Sequence, residues 1–296
     1  MPPRFGIQQP SFSFPGGPEL TYQTVERICL EAEGLGFDSF WLMDHFIQIP
    51  QVGAEKDRIL EPWVTLSALA ARTQRIRLGP LCLGNTYRNP ALVAKMGATL
   101  DVVSNGRLFL GLGGGWHQRE HEAYGFPFYT RGERLRRLEE AVQIIKAMWV
   151  QGSATFQGRY YQARDALCYP LPVQRPHPPI LVGGGGEELT LRIVARHAQA
   201  CNLFGEPETV RHKLDVLTRH CRDVGRDPAS ILKTRLGVMV IAATEKELKQ
   251  KLDTYYPGIP PASFQGRVTA GTPGQVAEGM QGPPECGAGL PYLQLS

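Results

Sequence analysis

The chain has 296 residues, 42% hydrophobic and 20% charged, the balance of a globular protein with room for one large core or two small ones. Its 32 basic and 28 acidic residues give a formal net charge of +4 without basic blocks, so no nucleic-acid partner is expected, and an acidic small molecule suits the mild excess. No window approaches the roughly 20 apolar residues of a membrane span, no apolar leader follows Met1, and the six cysteines form no close pairs, which together predict a cytoplasmic protein with reduced thiols and no membrane partner.

Phe5 to Gln9 is the first strand candidate, and the helix from Leu20 to Gly34 keeps Val25, Ile28 and Ala32 on one helical period. Phe37 to Met43 is a second strand, and it ends on the polar pair Asp44-His45. Pro62 can open a helix that runs to Thr73, with Leu66, Leu69 and Ala70 on one side. Arg75 to Leu83 is a third strand, irregular at Pro80, which has no N–H to offer a ladder. Pro90 to Ser104 is the next helix, begun by Asn89-Pro90 and stopped by Asn105-Gly106. A fourth strand, Arg107 to Gly111, opens into Gly113, Gly114 and Gly115, then Trp116 and a polar segment able to start a helix.

Arg131 to Val150 is the clearest helix, with Leu135, Leu138, Val142 and Ile145 spaced by three or four residues. Ala154 to Gln162 alternates around Gly158 and predicts a hairpin inserted, over about 151–178, into a single domain covering residues 1–296. The fifth strand, Ile180 to Val182, runs into a second glycine loop, Gly183 to Gly186. Helix and strand then alternate through Glu187 to Arg196, Ala198 to Phe204, Glu208 to Val224, Thr234 to Ala242 and Glu245 to Tyr255. Thr272 to Glu278 starts like a helix that Gly279, Gly282, Pro283 and Pro284 should cut short before an eighth strand at Leu290 to Leu295. Eight strands alternating with helices predict parallel βαβ units closed into a (β/α)8 TIM barrel. In such a barrel Asp44-His45, Leu81 to Asn85, Gly111 to Trp116, Gly183 to Glu187 and Asn202 to Phe204 share the C-terminal face, where the active site lies.

Two strand-to-glycine-loop junctions suggest a phosphorylated cofactor held between them, because glycine lets backbone N–H groups approach a ligand and a helix N-terminus favours an anion. Tight turns alone are the competing reading, and Gly111 to Trp116 lacks the third glycine of the dinucleotide fingerprint. His45 is the candidate catalytic residue, since an imidazole at a strand tip exchanges protons near neutral pH. Asp44 beside it is read as orienting that ring or bonding the ligand, against a hydrogen-bonded structural pair. His117-Gln-Arg-Glu120-His121 has the spacing of the inverted zinc-protease pattern, but no third ligand is evident, so no metal is assigned. Cys82 either lines the pocket or fills apolar space, Trp41 belongs to the core, and Trp116, behind the glycines, can cover a flat ring.

At these residues the chain resembles the luciferase-like monooxygenase superfamily, in particular the branch that uses the deazaflavin coenzyme F420. The resemblance rests on Gly36 to His45, Arg75 to Gly79, Gly84 to Ala91, Thr99 to Arg107, Gly111 to Trp116, Glu120 to Gly125, Gly132 to Glu140 and Leu181 to Arg192, and so covers the chain to about Phe204. It implies hydride transfer between the C5 carbon of F420 and a small organic substrate, in a barrel lengthened by insertions such as the hairpin. It places Asp44 and His45 at the deazaflavin, with His45 near the reacting centre, and a non-prolyl cis peptide near Leu81-Cys82 under the ring. Gly84, Trp116 and the backbone of Gly113, Gly114, Gly115, Gly183, Gly184, Gly185 and Gly186 complete the implied cofactor site. Sugar-phosphate dehydrogenases of the family carry a catalytic glutamate where this chain has Trp116, and their basic substrate-phosphate cluster has no match here. FMN is the alternative cofactor, with a monooxygenase activity, and a non-catalytic cofactor-binding protein is the alternative from a different class. Family members commonly pair, so a homodimer is expected.

Overall fold

The computed structural model describes residues 4–255, 268–281 and 290–295. Gly282, Pro283 and Pro284, expected to stop the last helix, and the sixth cysteine, Cys286, lie outside the described residues.

Short parallel strands alternate with helices along most of the chain. Strand β1 (Gly6–Gln9) is followed by α1 (Thr21–Gly34), β2 (Ser39–Leu42), α2 (Pro62–Arg72), β3 (Arg77–Pro80), β4 (Leu83–Gly84), α3 (Pro90–Val103) and β5 (Leu110–Gly113). Next come α4 (Gln118–Tyr124), α5 (Arg131–Gln151), the strands β6 (Ser153–Gln157) and β7 (Gln162–Leu167), β8 (Ile180–Gly183), α6 (Thr190–His197), β9 (Ala200–Leu203) and α7 (Pro207–Asp223). The chain continues through β10 (Leu232–Ile241), α8 (Glu245–Tyr255), β11 (Val268–Gly271), α9 (Pro273–Gln281) and β12 (Leu290–Leu295). Local chemistry sets several boundaries. Proline occupies the first turn of α2, α3 and α7, where its missing N–H costs nothing, and Glu61 and Asn89 cap the first two of these by accepting from Val64 N and Ala91 N.

The main sheet runs β3-β2-β1-β12-β10-β9-β8-β5-β4, with every named pairing parallel. A parallel bridge between Leu78 and Leu108 brings β3 back to the start of β5 and closes the circuit. The result is the expected β/α barrel, with the third position shared by β3 and β4. The sequence predicts one strand over Arg75 to Leu83; the ladder instead breaks after Pro80, and Leu81 N donates to Leu42 O at 2.7 Å. Beside this circuit β11 adds a parallel partner along Val238 to Ile241 of β10, a strand that the sequence pattern does not announce.

Side chains alternate between two cores, as the period of a strand requires. Trp41, Leu81, Phe109, Leu181 and Ala200 form one cluster inside the barrel. Their strand neighbours Phe40, Leu42, Leu110, Leu112, Ile180, Val182 and Cys201 pack outward with the helices, together with Leu138, Val142, Ile145 and Trp149 of α5. The expected hairpin is present, but its second arm is Gln162–Leu167 and its turn lies at residues 158–161, so the alternating stretch that ends at Gln162 is one arm and a turn. Glu140 on α5 fixes that turn by accepting from the backbone N–H groups of Arg159, Tyr160 and Tyr161 at 2.8, 3.0 and 2.9 Å.

Candidate active site at the C-terminal end of the barrel

Strands β5, β8 and β9 lie side by side with Gly111 opposite Leu181 and Gly183 opposite Asn202. Since Phe109, Leu181 and Ala200 face the barrel interior, alternation also turns Gly111, Gly113 and Gly183 inward, one or two layers nearer the mouth. Glycine is needed at 183 for space: a Cβ there would lie 2.4 Å from the Cys82 sulfur. Cys82 follows a cis Leu81-Cys82 peptide, as the family resemblance implies, and its side chain also approaches Gly113, whose Cβ would stand 3.5 Å from its own. Burial pushes the Cys82 thiol up to about 12 against a backbone hydrogen bond from Gly183, so at neutral pH it is a neutral wedge between the two glycine loops.

The loops are laced together across the mouth. Gly84 N donates to Asp44 Oδ2 at 2.8 Å, Asn85 N to Gly113 O at 3.0 Å, and Gly184 N to Asn202 O at 3.0 Å. Gly115 and Gly184 have φ of 72° and 117°, a region that side chains other than glycine rarely adopt. Around the second loop the side chains of Lys213 and Arg131 approach Gly185 and Gly186; a Cβ on Gly186 would be 3.3 Å from an Arg131 Nη. The mouth thus has a floor of bare backbone with the Arg131 guanidinium at one side, while the Lys213 ammonium is paired with Glu187. A flat ring with an anionic tail fits that donor set.

His45 stands at the end of β2, its side chain 12% exposed and packed edge-on to Trp116 and His117 at centroid distances of 5.6 and 5.7 Å. Its Nδ1 is 2.9 Å from Glu120 Oε2. The Glu120 side chain has no exposed surface. Its Oε1 accepts from Phe46 N at 2.6 Å and Ile47 N at 2.9 Å, and its Oε2 also accepts from the Tyr87 hydroxyl at 2.7 Å. Burial alone would raise this carboxyl, but the bonds from His45, Tyr87 and Ile47 outweigh it and hold the group at about 2. Burial and the carboxylate push the Tyr87 phenol upward, so it remains a donor.

The histidines of the zinc-like pattern part company. His121 bonds Thr86 Oγ1 through Nε2 at 2.7 Å and His117 O through Nδ1 at 2.9 Å. His117 instead joins Glu120 and His45, a third donor that the sequence pattern does not reveal, with the three donor atoms within 4.8 Å of one another. These three could hold a cation. Both Glu120 oxygens already accept two donors, however, so an ion would have to displace Tyr87 or the imidazole.

Asp44 does not orient His45. Its side chain is fully buried, with both oxygens on Arg88 Nη1 at 3.0 and 2.9 Å and Oδ2 also on Gly84 N, while Arg88 Nη2 reaches Glu61 at 2.7 Å. Burial pushes the Asp44 carboxyl upward against the pull of Arg88. Successive residues of an extended chain face opposite ways, so Asp44 anchors the loop after β4 from below while His45 enters the mouth. Trp116 is 50% exposed at the rim, its ring 5.0 Å from that of His117 and tilted 35° to it. The residues that sequence reasoning missed are Tyr87 and Arg88, and the role of Glu120. All three sit inside the quoted motifs, but these partners are 27 to 75 positions away.

The family model described as luciferase-like monooxygenase matches residues 4–281. An F420-dependent glucose-6-phosphate dehydrogenase from Kineococcus radiotolerans is 40% identical over 164 residues, 54% of this chain and 46% of that protein. A phthiodiolone/phenolphthiodiolone dimycocerosates ketoreductase from a Mycobacterium species is 32% identical over 237 residues, 73% of this chain and 61% of the relative. The chain spans about half the length of the first of these curated relatives. Among solved structures, an F420-dependent secondary alcohol dehydrogenase in complex with an F420-acetone adduct superposes with a TM-score of 0.85 at 18% identity, covering 100% of this chain and 94% of that one. An EDTA monooxygenase from Chelativorans has a TM-score of 0.83 at 17% identity, covering 100% and 90%. At these identities the two structures speak for the fold.

Proposed function

We propose, from the premise that this chain belongs to the luciferase-like monooxygenase family, that it is an F420-dependent oxidoreductase acting on a small alcohol, carbonyl or unsaturated compound. The observation that carries the reading is the partly exposed His45 imidazole at the same end of the barrel as the two glycine loops. Two curated relatives named as F420-dependent support the deazaflavin over FMN. The bound coenzyme supplies a carbon that takes or gives a hydride.

The chain's own residues do the rest. Backbone at Gly113 to Gly115 and Gly183 to Gly186 takes the ring edge and the phosphate side, with Arg131 and Lys213 next to the second loop. Leu81, Cys82 and Gly84 form the floor, Trp116 covers the rim, and Asp44 serves the cofactor by fixing the Gly84 loop. His45 exchanges the proton at Nε2: it accepts one there from a hydroxyl being oxidised, or returns one from there to a carbonyl oxygen being reduced. Among the described residues no helix is long and apolar enough to cross a membrane. A cytoplasmic homodimer is the assembly we propose, and size-exclusion chromatography with light scattering tests the dimer.

Titrating the purified protein with oxidised F420 and following deazaflavin fluorescence tests the cofactor directly. Saturable quenching is expected, and an unchanged signal rules the reading out. A yellow purified protein with flavin absorbance would point to FMN instead. His45→Ala should bind F420 within a few-fold of wild type and lose about 10²- to 10⁴-fold in turnover on a panel of alcohols, aldehydes and enones. Tight binding with no turnover by wild type on the whole panel would favour the non-catalytic reading.

A further inference from the structure

We infer that Glu120 is the positioning residue of the site: through its hydrogen bond to Nδ1 it locks His45 in one tautomer, with the Nε2 lone pair facing the mouth. The inference rests on the oxidoreductase reading for its use, but its geometry stands without the cofactor. An ionised carboxylate can only accept hydrogen bonds, so the 2.9 Å contact requires the proton on His45 Nδ1. A neutral imidazole carries one ring proton, and Nε2 is then an acceptor. No described residue bonds Nε2. In that neutral form the ring presents a base at Nε2, and a proton gained there makes an imidazolium next to the carboxylate that already holds the other side.

What makes Glu120 a fixed reference rather than a mobile partner is the set of donors around it. Two backbone N–H groups on Oε1, from Phe46 and Ile47, tie the carboxylate to the two residues directly after His45. The Tyr87 hydroxyl on Oε2 ties it to the loop after β4. Ring and carboxylate are thus referenced to one stretch of backbone, and the imidazole plane is set with them. His117 Nδ1 comes within 3.3 Å of the same oxygen but makes no hydrogen bond there. Asp44 and Arg88 are spent on each other. Glu120 lies in the first turn of α4, and its bonds to His45, Phe46 and Ile47 hold that turn against the segment after β2.

The sharp test is Glu120→Gln. Its amide oxygen must face Phe46 N and Ile47 N, which turns the NH₂ toward His45 and converts Nδ1 from donor to acceptor. In ¹⁵N-histidine-labelled, cofactor-free protein above the imidazole titration, two-bond ¹H–¹⁵N spectra should show wild-type His45 with a protonated Nδ1 and a bare Nε2. The variant should reverse that ratio by about tenfold or more, as a charge-assisted hydrogen bond implies. His45→Asn assigns the signal, Glu120→Ala provides a second loss of the acceptor if the glutamine variant folds poorly, and Tyr87→Phe and His117→Ala should leave the tautomer unchanged. A wild-type His45 in the Nε2–H form, or a ratio that both Glu120 variants leave unmoved, overturns the inference. F420 titration of the same samples separates the two readings: wild type that fails to quench the coenzyme removes the oxidoreductase, while the tautomer result still decides the role of Glu120.

Discussion

Cys82 and Gly183 depend on each other in a way that can be measured. A methyl at position 183 would sit 2.4 Å from the Cys82 sulfur, and Gly183 does not occupy the left-handed region, so the clash rather than the backbone is what an alanine would feel. Gly183→Ala should lower stability by about 1–3 kcal/mol, the usual penalty for overpacking, and weaken F420 quenching by spreading the two loops. Adding Cys82→Ala should restore most of the loss, because the sulfur is the atom in the way. Urea unfolding of the two single variants and the double variant closes the cycle, and independent, additive losses would show that the contact is not the cause. The same scale explains why Asp44 and Glu120 exchange the roles that their positions suggest. An acid adjacent to His45 in sequence is bonded to Arg88 and Gly84 N instead, and an acid 75 residues away meets it.

Arg107 shows how the elements below the mouth are held. Its guanidinium donates to Ser104 O, Thr73 Oγ1, Ile76 O, Ala70 O and Thr73 O at 2.7 to 2.9 Å, and so clasps the end of α2, the entry to β3 and the turn between α3 and β5. Burial lowers its pKa, and carbonyl oxygens and one hydroxyl rather than a carboxylate take the charge-bearing N–H groups. Arg107→Lys keeps the charge but cannot fork to these acceptors, and should cost about 2–4 kcal/mol in urea unfolding, with Arg107→Ala at least as costly. A loss below about 1 kcal/mol for both would show that water replaces the clasp. Elements of this kind were legible in the sequence wherever apolar period and terminal signals agreed: Asn89-Pro90 and Gly106 bracket α3, and the spacing of Leu138, Val142 and Ile145 marks α5. They were less legible where tertiary hydrogen bonds choose the boundary. The break after Pro80 depends on Leu42 O, the hairpin turn on Glu140, and β11 on an edge of β10 that no local pattern advertises. The positions of the glycine loops and His45 could be read because strand tips announce themselves; the contact of Glu120 with His45 could not, since His117-x-x-Glu120-His121 suggests a pairing of the two histidines that the fold does not make.

For the whole molecule, the carboxylates that join its elements set a limit on acid stability. Glu120 ties α4 to the segment after β2 and to Tyr87, and Glu139 ties α5 to the end of α6 through His197 and Arg196. Hydrogen bonds from His197 and Arg196 outweigh burial at Glu139, and both carboxyls are held at about 2 against an ordinary 4.5. Since the folded values are the lower ones, each contribution is complete above the unfolded titration near 4.5 and is lost as pH falls toward 2. A shift of that size corresponds to roughly 3 kcal/mol for the buried Glu120 and to less for Glu139, whose side chain is 26% exposed and screened by solvent. Domains of this kind are stable by only about 5–15 kcal/mol, so the two losses together remove a large share. Urea midpoints should therefore change little on account of these groups between pH 7 and 5 and fall steeply between about pH 4.5 and 3. Glu139→Gln should start lower at pH 7 and fall less across the same window, because one of the two linked protons is gone. A wild-type midpoint that holds constant down to pH 3, or an acid slope that Glu139→Gln does not reduce, would show that the barrel's acid sensitivity comes from other groups.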